Sequence, residues 1–185
     1  IALVLFAGKA YLQMPLTTDH GAAKLFVSSA APDAVPQQGT VLSDAMEISS
    51  RAFSSTDKRF RSVILISDGE DHDNAAVKTA NELAERGVMI NTVGVGSAEG
   101  AVIIDPLTGQ NKTDEAGNTV ISKLNEDILR SVAQATNGIY INLQGSDAAV
   151  SAIKGQLSQI ERKAFSDVSL MNFRSFFMWF ASAMF

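Results

Sequence analysis

Residues 61–73 read RSVILISDGEDHD, and no other stretch constrains the fold as strongly. Val63, Ile64, Leu65 and Ile66 form an unbroken apolar run. The lack of alternation predicts a short strand buried on both faces, as in the middle of a parallel sheet. The run ends in Ser67, Asp68 and Gly69, followed by Glu70, Asp71 and Asp73. Carboxylates thus gather where a buried strand leaves its sheet. In open α/β sheets, ligands bind at that edge, outside the carboxyl ends of the strands. Four acidic side chains within six positions repel one another unless a cation or solvent screens them. Two readings stand at this point: a divalent cation held by these oxygens, or a solvated acidic turn with Asp73 capping the next helix.

The chain has 185 residues, enough for one domain with a real core. Its formal charge is −5, and no basic patch or run suggests nucleic acid. Cysteine is absent, which excludes disulfides, zinc–thiolate sites and thiol catalysis. The chain opens at Ile1, inside an apolar run, with no signal-peptide pattern. The expectation is a sequence cut in mid-strand.

Taken in order, IALVLF at residues 1–6 reads as a second buried strand. Residues 11–16 read as a weaker one, placed at a sheet edge because Pro15 cannot donate to a ladder. The two are close enough to form an antiparallel hairpin. Thr18 and Asp19 cap a helix to about Ala30, with Ala22, Leu25, Phe26 and Ser29 at helical spacing. Gly39 and Thr40 lead into a helix ending near Phe53, with Val41, Ala45, Ile48 and Ala52 on one face. After the central strand, a helix begins at Asp73, carries Val77, Ala80, Leu83 and Ala84, and stops at Gly87. Residues 88–95 form a third buried strand. Residues 99–120 break the rhythm with Pro106, Gly109 and Gly117, and read as a β-hairpin or loop insertion. A helix over residues 124–135, a strand over 139–143 and an amphipathic helix from Asp147 complete the pattern. In that last helix Val150, Ile153, Leu157 and Ile160 should face inward. Strands alternating with helices predict an α/β fold: a mostly parallel open sheet with helices on both faces and one antiparallel edge strand.

From Ser175 the sequence runs SFFMWFASAMF. A membrane span needs about 20 apolar residues, so this is half of one. Four aromatics within five positions, just past Arg174, favour an interfacial anchor entering a membrane over a helix packed on the core. Gly94 and Gly96 fail the dinucleotide-loop pattern and suit tight packing instead. His20 and His72 stand alone, without partners at ligand spacing.

Together these residues resemble a von Willebrand factor A domain, from Ile1 to about Lys163. In that family three loops at the top of a three-layer, Rossmann-like sheet assemble a metal-ion-dependent adhesion site. Gly39-Thr40 matches the second loop and Ser67-Asp68-Gly69 the third. The first loop's Asp-x-Ser-x-Ser does not occur in these residues. By the resemblance it would sit on a central strand preceding Ile1, so the sheet is expected to lack that strand. The stretch LVLFAGKAYLQMPLTTDHGAAKLF, the ISDGEDHD segment, the polar insertion before NEDILRSVAQATNGIY and the aromatic tail are similar to the Bat (Bacteroides aerotolerance) bacterial membrane proteins.

The resemblance implies a partial A domain over residues 1–163, a juxtamembrane linker over 164–174, and the start of a transmembrane helix over 175–185. It implies Mg²⁺ bound by Thr40 and Asp68, and a protein partner recognised through that ion. Mg²⁺ is hard and prefers oxygen ligands, and few carboxylates leave it electrophilic. Further implied partners are a MoxR-type AAA ATPase and other Bat proteins, some with tetratricopeptide repeats. The implied location is a bacterial inner membrane with the domain periplasmic, although Arg162, Lys163 and Arg174 beside the tail oppose that side. An enzyme using an aspartyl nucleophile would need a second Asp two positions beyond Asp68, where Glu70 stands. The remaining alternative is a scaffold whose metal site is unused.

Overall fold

The computed structural model describes residues 1–31, 35, 39–53, 61–71, 74–104, 108–113 and 117–170, with side chains of the last helix described as far as residue 158. In chain order the elements are β1 (Leu3–Phe6), β2 (Ala10–Met14), α1 (His20–Ser28), α2 (Leu42–Arg51), β3 (Arg61–Ser67) and α3 (Ala76–Glu85). They continue with β4 (Val88–Gly94), β5 (Ala101–Val102), β6 (Ile121–Ser122), α4 (Glu126–Ala135), β7 (Tyr140–Asn142) and α5 (Ser146–Leu170).

The helix boundaries follow local chemistry. Asp19 caps α1, its Oδ1 accepting from the backbone N–H of Gly21 at 2.8 Å and of Ala22 at 3.0 Å. Asn125 caps α4, and Glu126 and Asp127 place negative charge in its first turn, where the helix dipole favours it. Gly87 ends α3 at φ +76°, a conformation glycine adopts without steric cost. No side chain at Ala75, the N-cap position of α3, caps that helix. It begins at Ala76 rather than at Asp73, which lies outside the described residues.

β3, β4 and β7 form a parallel sheet in the order β3-β4-β7. Leu42 and Met46 of α2, Ala76, Ala80 and Leu83 of α3, and Leu129 and Val132 of α4 pack on one face of it, against Val63, Leu65, Val88 and Ile90. That side of the sheet is the hydrophobic core. α5 lies toward the other face, where the Gln156 amide donates to the Asn137 carbonyl at 3.4 Å and to Met89 Sδ at 3.7 Å. Ile64 and Ile66 are 42% and 57% exposed, which corrects the expectation of a strand buried on both faces.

The helix faces also differ from expectation in two places. In α1 the buried residue is Ala23, while Leu25 points to solvent. In α5 Ala149 is buried and Val150 is exposed. The expected Ala22 and Phe26 of α1 and Ile153 and Leu157 of α5 are half-buried, so the stripes hold except at Leu25, Ser29 and Val150, and the Ile160 side chain lies outside the described residues.

β1 and β2 pair antiparallel, but as a separate two-stranded sheet rather than as the edge of a single one. α2 joins the two sheets. Its Asp44 carboxylate accepts from the Ala10 N–H at 2.7 Å, and Val41 N–H, at its N-cap, donates to the Ala7 carbonyl at 3.1 Å. Meanwhile Leu42 and Met46 reach the core beneath β3. Among the described residues no ladder joins β1 to β3. Residues 101–122 hold the antiparallel pair β5–β6, extended by bridges between Ile104 and Asn111 and between Thr113 and Thr119.

Candidate functional site

Parallel strands end on a common edge, and β3 delivers Asp68 there directly after Ser67. The loop that follows is tightly fixed. Gly69 sits at φ +76°, and a side chain on it would collide with the carbonyl oxygen of Asn125 and with Leu129. The Asp68 carbonyl accepts from Asn125 N–H at 2.7 Å, so the loop is bonded to the entry of α4. The Ser67 hydroxyl accepts from Gly69 N–H at 3.0 Å and stands 3.4 Å from Asp68 Oδ1. It serves the turn, as its short span suggests.

The Asp68 carboxylate has two different surroundings. Oδ1 accepts from the Glu70 backbone N–H at 3.2 Å. Oδ2 accepts from the hydroxyl of Ser122, at the end of β6, at 2.9 Å. The insertion therefore reaches this carboxylate from 54 positions away.

Asp71 links two helices. Its Oδ1 accepts from Leu42 N–H at the long distance of 3.5 Å, and its Oδ2 from Ala76 N–H at 3.3 Å. A carboxylate set between two helix N-termini faces two positive dipole ends. Thr40 lies two residues before Leu42, on a segment held on one side by the Val41–Ala7 bond and on the other by Asp71. Thr40 and Asp68 thus occupy adjoining loops at the same end of the fold. His20 is exposed at the start of α1, and His72 and Asp73 lie outside the described residues.

Among the described residues no group of three or more His, Cys, Asp or Glu side chains is gathered to hold a metal. The two side chains shown together at this edge, Asp68 and Ser122, offer a carboxylate and a neutral hydroxyl. That all-oxygen donor set suits a small hard cation and not a soft one.

A second polar cluster borders the site. Glu126 accepts from Arg130 Nη2 at 2.7 Å and from the Asn142 amide at 2.8 Å. The Arg130 guanidinium lies 4.3 Å from the centre of the Tyr140 ring. The Arg130 hydrogen bond, then that of Asn142, holds the Glu126 carboxyl below its ordinary pKa. Burial, then the nearby Glu126 charge, pushes the Tyr140 phenol up. Tyr140 lies over Gly94, where an added Cβ would stand 2.7 Å from the phenol oxygen. Tight packing is thus what Gly94 serves. Ser122 and Asp44 escape sequence reasoning, because their partners are distant in the chain and nothing local marks them; Asn125 bears a local signal, an N-cap residue before two acidic ones.

Residues 1–126 match the von Willebrand factor type A domain. Among solved structures, the chain is 34% identical to the conserved hypothetical protein BatB from Bacteroides thetaiotaomicron, over 87% of this chain and 78% of that one, with a TM-score of 0.83. It is 33% identical to an aerotolerance-related membrane protein from Bacteroides fragilis, over 85% of this chain and 78% of that one, with a TM-score of 0.81. Proximal thread matrix protein 1 of the mussel byssus, described with a zinc-occupied adhesion-site motif, is 18% identical over 76% of this chain and 30% of that one. At a TM-score of 0.54 it shares the fold alone. No curated protein matches the chain.

Proposed function

This chain belongs to the von Willebrand factor type A family, and from that premise we propose that it binds a protein partner through a Mg²⁺ ion held at the carboxyl edge of its sheet. Domains of this family are generally interaction modules rather than enzymes. The observation that carries the reading is the pairing of two loops: Asp68 leaves β3 at that edge, and Asp71 binds the start of α2 just after Thr40. Thr40 and Asp68 would hold the ion. A cation bound chiefly by hydroxyls and water keeps most of its charge and can take a partner's carboxylate as a further ligand.

The same reading assigns the open side of β3 to a strand preceding Ile1. A strand inserted between β1 and β3 would carry Asp-x-Ser-x-Ser to the same edge. The span of α2 across both sheets supports it. The Bacteroides relatives are described as an aerotolerance-related membrane protein and as BatB. We carry from them a membrane-attached role of the Bat type, and from the family resemblance alone a MoxR-linked envelope system with the domain on the periplasmic side of the inner membrane. The anchor would be residues 175–185, which lie outside the described residues. Among the described residues no helix is long and apolar enough to cross a membrane.

The test is partner capture by the full-length protein in Mg²⁺ and in chelator, with Thr40→Ala and Asp68→Ala beside the wild type. Capture should require Mg²⁺ and fail in both variants. Equal capture under all conditions would leave a scaffold with an unused site.

A further inference from the structure

We propose that Ser122, supplied by the insertion, is a further ligand of the cation at Asp68. The inference rests on the metal reading of the site given above. It starts from the 2.9 Å separation between Ser122 Oγ and Asp68 Oδ2. That separation serves two bonding schemes. It is the length of an O–H···O⁻ hydrogen bond. It is also the edge of a Mg²⁺ octahedron, because ligand bonds of about 2.1 Å at right angles put neighbouring oxygens about 3.0 Å apart. The two oxygens therefore already stand as adjacent ligands would.

The hydroxyl chemistry permits the exchange. A serine hydroxyl has one proton to donate and two lone pairs. With the proton on Oδ2 it holds the carboxylate. With a cation beside both oxygens the O–H turns outward and a lone pair faces the ion. Neither side chain has to travel. The hydroxyl is neutral, so it raises the ligand count without lowering the charge felt by an incoming carboxylate.

The backbone fixes Ser122 in this place. Three residues further on, Asn125 N–H donates to the Asp68 carbonyl at 2.7 Å, and Leu124 N–H donates to the Ser97 carbonyl at 3.0 Å. On the other side, Ser122 pairs with Ala101 in the β5–β6 ladder. Alternation along β6 turns Ile121 outward, 53% exposed, and Ser122 toward the site. Ser122 is thus aimed at the carboxylate.

Substitution combined with a change of metal tests this in the full-length protein. Ser122→Ala should weaken Mg²⁺ binding, measured calorimetrically, by at least about tenfold, since even outer-shell partners of metal sites are worth about 10–100-fold. Ser122→Thr, which keeps the hydroxyl, should bind like the wild type and guards against a folding artefact. Ser122→Cys should lose Mg²⁺ and gain Cd²⁺ with a thiolate-to-cadmium charge-transfer band. Residues 1–185 contain no other cysteine to produce it. Wild-type Mg²⁺ affinity in Ser122→Ala would overturn the proposal and leave the Thr40–Asp68 site standing. Weakened binding without the cadmium band would also overturn it, leaving Ser122 as a residue that only positions Asp68. If the wild type binds no Mg²⁺, the metal reading of the site falls and this proposal with it.

Discussion

Thr136→Val should destabilise the protein by about 2 kcal/mol although it changes no volume. Thr136 follows α4 and is 3% exposed. Its Oγ accepts from the backbone N–H of Ile90 at 2.9 Å and stands 3.2 Å from the carbonyls of Ile90, Val132 and Ala133, to one of which it donates. The reason lies in the sheet. β7 begins opposite Thr92, whose N–H donates to the Ile139 carbonyl at 2.9 Å. Two residues earlier β4 has no strand on that side, and the Thr136 hydroxyl stands in for the missing ladder partner. Valine would leave the buried Ile90 N–H unpaired. One such group costs about 1–3 kcal/mol. At about 2–4 °C per kcal/mol for a chain of this size, the melting temperature should fall by about 4–8 °C. Thr136→Ser keeps the oxygen and deletes one methyl, so it should lose only about 1 kcal/mol. Urea unfolding followed by circular dichroism measures both, with an unchanged m-value showing that the folded state is intact. Hydrogen exchange at the Ile90 amide should speed up in the valine variant. A valine variant within about 0.5 kcal/mol of wild type, and more stable than the serine variant, would refute the substitute-partner argument.

Two further outcomes follow from the polar clusters. Asp71→Ala should cost about 1–2 kcal/mol in urea unfolding, because α3 loses its only capping carboxylate among the described residues and α2 a weaker one; Asp71→Asn should recover about half. In an NMR titration the Glu126 carboxyl should titrate below an ordinary glutamate, and Arg130→Met should raise it, because the Arg130 hydrogen bond is the chief cause. A folded pKa below the unfolded one means that this group's stabilisation is fully present above the unfolded pKa and fades as pH falls through the folded one. An unmoved Glu126 in Arg130→Met would assign the shift to Asn142 instead.

The elements were legible where the signal is local. The apolar runs at residues 63–66 and 88–95 mark β3 and β4, Asp19 marks the start of α1, and Gly87 marks the end of α3. The failures arise where a neighbour distant in sequence decides. An apolar run such as 63–66 predicts burial but cannot say whether a second layer covers Ile64 and Ile66. Asp73 looked like a cap by spacing. It lies outside the described residues, and among these the carboxylate bonded to the start of α3 is that of Asp71. Ser122 lies in VISKLNED, a string with nothing to mark it, and becomes notable only when folding brings it to Asp68.

Under the proposed function, completion of the sheet is also completion of the site. β3 has a ladder with β4 and, among the described residues, none on its other side. Next to that free edge, on the face away from the core, stand the exposed side chains of Ile64 and Ile66. Among the described residues β1 and β2 are linked to β3 through α2 rather than through a ladder. Under the proposed function, an added strand would pair with the edge of β3 that has no ladder among the described residues. Run parallel to β3, it would end at the same edge as Ser67, beside the loops that carry Thr40 and Asp68. Any oxygen ligand at its carboxyl end would arrive with the hydrogen bonds that stabilise it. An antiparallel strand could fill the same space but would bring its amino end to the metal and its ligands to the opposite edge. Under the proposed function, direction is thus as restrictive as fit: only a parallel strand both pairs with the edge of β3 and adds donors to an ion that otherwise depends on Thr40, Asp68 and Ser122.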